Sequence, residues 1–112
     1  MRLFSRRKKQ GSSTPAASSS SQRRAEVTAY FREFVTTRAG VEAYIEPPTA
    51  TDPVTMVLVA RTGEWTRRRV PDEKAAWALA RELGIPVYDV NLTGYPSSMR
   101  RWSAAQRQRR SS

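Results

Sequence analysis

The first regular pattern along the chain falls at Val27, Tyr30, Phe31, Phe34 and Val35, spaced i, i+3, i+4, i+7 and i+8. That spacing predicts a helix from about Arg23 with one apolar stripe, closed by Gly40. The period then changes. In "VEAYIEPPTA", Val41, Ala43 and Ile45 alternate with Glu42, Tyr44 and Glu46, which reads as a half-buried strand ended by Pro47 and Pro48. "VTMVLVA", Val54 to Ala60, is apolar at nearly every position and reads as the central strand. The short link "RTGEW", with Gly63 available for positive φ, predicts that the next strand, 64 to 70, returns as a hairpin.

After Pro71, Asp72 is placed to cap a helix whose face carries Ala76, Leu79, Ala80 and Leu83, and Gly84 and Pro86 end it. "IPVYDVNL" reads as a fourth strand, stopped by Gly94 and Pro96, and Met99 and Trp102 mark a final helix. The predicted order is α-β-β-β-α-β-α. It describes a small α+β domain: an antiparallel sheet made of a β-hairpin and flanking strands, with helices mainly on one face. A strand order of 3-2-1-4, with a right-handed crossover between the third and fourth strands, would lay the last strand parallel to the first.

Charge divides the chain differently. Of 112 residues, 20 are basic and 10 acidic, for a net charge of +10. Seven basic residues lie in 1–24 and five in 97–112, and neither segment holds an acid; residues 25–96 carry eight basic and all ten acidic residues. The basic character therefore belongs to the ends and the globular part is close to neutral. "GSSTPAASSSSQ", Gly11 to Gln22, has too little to bury to offset its ordering entropy. The organisation expected is a disordered basic and serine-rich arm over 1–22, a domain over 23–96, and a basic helix and tail over 97–112.

Cysteine and histidine are both absent, which removes disulfides, thiolate and histidine catalysis, and the usual zinc, copper and haem ligands. Neither a cofactor nor a metal is expected, and the five glycines form no phosphate-binding loop. No run approaches the ~20 apolar residues of a membrane span, and "MRLFSRRKKQ" lacks the apolar segment of a signal peptide. A cytoplasmic location is the default expectation. Asp89, in "VYDVN" with Tyr88 and Tyr95 nearby in sequence, is a carboxylate with apolar residues on both sides. In a terminal strand such a group more often satisfies backbone donors or an arginine than it acts as a catalyst. No enzymatic activity is expected.

"EWTRRRV", Glu64 to Val70, carries the remaining chemistry. On a strand, Trp65, Arg67 and Arg69 share one face and Arg68 takes the other. A ring beside guanidinium groups suits single-stranded nucleic acid, where bases stack and phosphates pair with arginine. The competing reading is an edge strand protected by charge, its arginines stacked on Trp65 or paired with Glu42 or Glu46. The ends supply a less specific attraction for any polyanion through Arg6, Arg7, Lys8, Lys9, Arg100, Arg101, Arg107, Arg109 and Arg110.

"GVEAYIEPPT", "GEWTRRRVPDEKAA" and "LGIPVYDVNLTGYPSSMR" resemble a group of short basic actinobacterial proteins with no established activity. The resemblance covers roughly Tyr30 to Arg101, and it implies a free-standing small bacterial protein without catalytic residues to carry over.

Two functions of different class follow. One is a non-enzymatic accessory protein that binds RNA or DNA without sequence specificity, led by the basic ends. The other is a protein-interaction module whose partner docks on the sheet or last helix, with the basic ends serving solubility. Arg67 and Arg69 on an open face continuous with Arg100 and Arg101 would favour the first; their pairing with Glu42 or Glu46 would favour the second.

Overall fold

The structure is a computed structural model that describes residues 15–111, with side chains from 21 to 110. Its elements are α1 (Pro15–Thr37), β1 (Glu42–Glu46), β2 (Thr55–Val59), β3 (Trp65–Arg69), α2 (Glu73–Leu83), β4 (Val87–Asp89), α3 (Val90–Thr93) and α4 (Ser97–Ser111). The sheet order is β3-β2-β1-β4. β1 and β2 pair antiparallel, as do β2 and β3, whereas β4 runs parallel to β1. This is the α+β architecture that the hydrophobic pattern predicts, and of the possible strand orders it is the 3-2-1-4 arrangement, with the last strand parallel to the first.

The alternation of β1 and the two-sided burial of β2 make two cores. On one side Phe31 and Phe34 of α1 and Ala76 and Ala80 of α2 pack on Ala43, Ile45, Met56 and Leu58. On the other, Tyr44, Val57 and Val59 meet Met99 of α4, with Trp65, Tyr88 and Tyr95 around them. α1 and α2 thus share one face as expected, and α4 covers part of the second. A strand whose Val57 is fully buried needs that second cover, since each such side chain is worth roughly 1.5–3 kcal/mol when removed from water.

α2 begins as its capping residue dictates: Asp72 accepts a hydrogen bond from Ala75 N at 2.8 Å. It ends at Gly84, whose φ of 72° favours glycine. The connection carries the chain from the β3 edge across to the opposite edge at β4.

Two expectations change. The fourth strand, expected over 85–92, is confined to Val87–Asp89 because the Asp89 carboxylate accepts from Asn91 N at 2.8 Å and starts the single turn of α3. α1 begins at Pro15, upstream of the start expected near Arg23. The rest of the expected arm lies outside the described residues.

Gly63 decides how closely α4 can lie on the hairpin. Its φ is +98°, and a Cβ there would stand 2.1 Å from Ser98 O and 2.9 Å from Trp102 Cβ. Gly63→Ala is expected to cost at least about 1–3 kcal/mol and to loosen α4, read as a lower thermal midpoint with a change in tryptophan emission. Phe34, 5% exposed, tests the other core: Phe34→Ala should cost about 3–5 kcal/mol in a denaturant titration. An unmoved midpoint would mean that α1 does not pack on the sheet.

Candidate nucleic-acid interface

The arginine strand does alternate, and its two faces meet different surroundings. Arg67 reaches across the sheet to Glu46, donating from Nε to Oε1 and from Nη2 to Oε2, both at 2.8 Å. Thr55 and Tyr95 donate their hydroxyls to the same carboxylate. The Glu46 side chain is only 16% exposed against 44% for Arg67, so a nearly buried carboxylate is met by three donor residues. Without them its burial would be prohibitive.

Burial pushes the Glu46 carboxyl upward, but the hydrogen bonds from Arg67, Thr55 and Tyr95 outweigh it, and the group lies below its ordinary value of 4.5. Tyr95 is raised, first by burial and then by its bond to Glu46, so the phenol keeps its proton and remains a donor at neutral pH. Arg67 is raised chiefly by its hydrogen bonds to Glu46. This quartet is a closed structural network: its acceptor and its strongest donor satisfy each other.

Trp65 is likewise engaged. Its indole N–H donates to Ser103 Oγ of α4 at 2.9 Å, and the Arg67 guanidinium lies 5.3 Å from its ring centroid. On the opposite face Arg68 stands 3.9 Å over the Tyr30 ring, and the Tyr30 hydroxyl bonds Thr66 Oγ1 at 2.7 Å. Tyr30, a member of the apolar stripe of α1, is therefore a half-exposed bridge at the β3 edge. Arg69 is exposed and makes no ion pair among the described residues. It borders a shallow cleft of about 700 Å³ with Pro47, Thr49, Asp52, Asn91 and Tyr95.

The C-terminal arginines sit on one helix. Met99, Trp102, Ser103 and Gln106 of α4, at i, i+3, i+4 and i+7, are turned inward to different degrees, while Arg100, Arg101, Arg107, Arg109 and Arg110 are exposed. Arg101 donates to Ser97 Oγ at 3.1 Å. Fifteen residues make a rod of about 22 Å that carries five arginines and no acid. Arg6, Arg7, Lys8 and Lys9 lie outside the described residues.

Three features escaped the sequence. Tyr95 bonds Glu46 instead of serving Asp89, which caps α3. Arg38, near the end of α1, pairs with Glu64 at 2.8 Å and lies 4.3 Å over Phe34. Glu42, the other possible partner of the strand arginines, accepts instead from Tyr44 Oη at 3.0 Å. The alternation of "VEAYIE" signalled that Glu42, Tyr44 and Glu46 share a face, but not which distant donor each would meet.

No family model matches the chain, and no curated protein or solved structure matches it. Among the described residues no helix is long and apolar enough to cross a membrane, and no cluster of carboxylates could hold a metal ion.

Glu46 gives a pH test with a definite sign. A carboxyl whose value is lowered by folding contributes stability that is present above about pH 4.5 and is lost as pH falls through the lower folded value. Glu46→Gln should therefore destabilise by about 1–3 kcal/mol at neutral pH, and the gap to the parent should close on acidification. Denaturant midpoints of both chains between neutral and strongly acidic pH check this; a gap independent of pH would show that the charge of Glu46 contributes nothing.

Proposed function

We propose that the chain is a non-enzymatic accessory protein of the bacterial cytoplasm that binds RNA or DNA without sequence specificity, with α4 and the N-terminal basic cluster leading. The observation that carries this reading is the acid-free set of exposed arginines on α4, held in place by Met99 and by the Trp65–Ser103 hydrogen bond. A formed helix that presents several guanidinium groups binds phosphates at a lower backbone ordering cost than a free tail. Trp65 and Arg67 then act as anchors of the fold, and Arg69 is the strand residue left to add a phosphate contact.

A second reading, the protein-interaction module, draws support from one observation, the Arg67–Glu46 pair. It takes the strongest strand arginine out of phosphate binding and leaves β3 as a shaped protein surface.

Salt dependence separates the two. If about five phosphates are engaged, log affinity for duplex DNA should fall against log salt with a slope of about −4 to −5, and less steeply for single-stranded RNA. Serine at Arg100, Arg101, Arg107, Arg109 and Arg110, combined with serine at Arg6, Arg7, Lys8 and Lys9, should remove most of that slope. Arg69→Ser should lower it by about one contact. Fluorescence anisotropy at several salt concentrations provides the measurement. Failure of the full chain to bind either nucleic acid at low salt would remove this reading in favour of the interaction module.

A further inference from the structure

The hydrogen-bond ladder of β3 decides which of its backbone groups are free. Val70 N donates to Val54 O at 3.1 Å and Ala60 N to Glu64 O at 2.8 Å. With the observed register, Glu64, Thr66, Arg68 and Val70 therefore direct their amides and carbonyls at β2. Neighbouring residues of a strand direct theirs oppositely, so Trp65, Arg67 and Arg69 point away from the sheet. The same alternation holds at the other side, where Ala43 N reaches Pro86 O, next to β4, at 2.8 Å.

β3 is an end strand. Among the described residues no backbone group meets the N–H or C=O of Trp65, Arg67 or Arg69. Arg67 O accepts from Arg68 Nη1 at 2.7 Å, and its second lone pair is still available.

Such an edge is a template for a further strand, and charge selects the occupant. A second copy is disfavoured, because edge-to-edge pairing would bring two runs of arginine together. A nucleic-acid backbone lacks the alternating N–H and C=O groups needed to continue a ladder. An extended acidic peptide meets both requirements. Acidic side chains at successive positions would face Arg69 on one side and Arg68 on the other, while its backbone pairs with the three outward residues.

We infer that the outer edge of β3 accepts an acidic, extended segment of a partner protein as a fifth strand. The inference gives the interaction-module reading a definite surface and stands apart from nucleic-acid binding by α4.

The test uses the full chain and a labelled synthetic peptide of about ten residues, built from glutamate and valine, beside a counterpart of the same sequence N-methylated at every residue. Both peptides carry the same negative charge, and only the first has the N–H groups that complete the ladder in either register. The glutamate–valine peptide should bind at least about tenfold more tightly. The amides of Trp65, Arg67 and Arg69 should exchange fast in the free protein, and peptide binding should slow them.

Arg69→Pro removes one outward N–H without touching the β2 ladder. It should weaken binding by about threefold to tenfold, against about twofold for Arg69→Ser. Equal binding of the two peptides would overturn the inference, as would complete absence of binding or unchanged exchange at the three amides. If Arg69→Pro folds poorly, the peptide comparison and the exchange pattern still decide. The combined serine variants of α4 and the N-terminal basic cluster keep the two proposals apart: they should remove most of the salt-dependent binding of RNA and leave exchange protection at β3 by the peptide intact.

Discussion

β2 is buried on both faces, with no exposure at Met56, Val57 and Leu58, and the layers of the molecule follow from the need to cover it twice. Ala43 and Ile45 of β1 extend the first apolar face, which α1 and α2 close. Tyr44 extends the second, and Met99 brings α4 onto it. The basic helix is thus a structural layer before it is a candidate interface. Its arginines are displayed outward because its apolar and small side chains are committed inward.

The rim of the second face raises a different problem. Glu46 sits where β1 ends, next to residues that exclude water, and a carboxylate in that position needs strong donors. Arg67, Thr55 and Tyr95 supply them from two other strands' worth of sequence and from the segment leading into α4. The network therefore joins the hairpin, β1 and the entrance to the C-terminal helix. It also divides the labour within "EWTRRRV": Arg67 stabilises the fold, Arg68 covers Tyr30, and Arg69 remains on the surface.

That division changes the meaning of three consecutive arginines. As a sequence they look like one positive patch. In the fold they lie on two faces of an end strand, one neutralised, one stacked on an aromatic ring and one exposed. The clustering of positive charge moves to α4, while β3 contributes an edge whose backbone groups and flanking charges both limit what can pair with it.

Local sequence pattern determined the order of the main elements, the hairpin and the α2 cap at Asp72, because burial and backbone hydrogen bonding act through local spacing, whereas the strand order was only one arrangement compatible with it. It also placed Phe31 and Phe34 in the core and left the charge at the ends. Only the tertiary structure decided that Arg67 pairs with Glu46, that Arg38 pairs with Glu64, and that Tyr95 serves Glu46 while Asp89 starts α3. Periodicity assigns a side chain to a face, but several donors and acceptors share each face. Which ones meet depends on strand register and on where α4 docks, and these are set by packing between segments 20 to 50 residues apart, as the 21-residue separation of Arg67 from Glu46 and the 49-residue separation of Tyr95 from Glu46 illustrate.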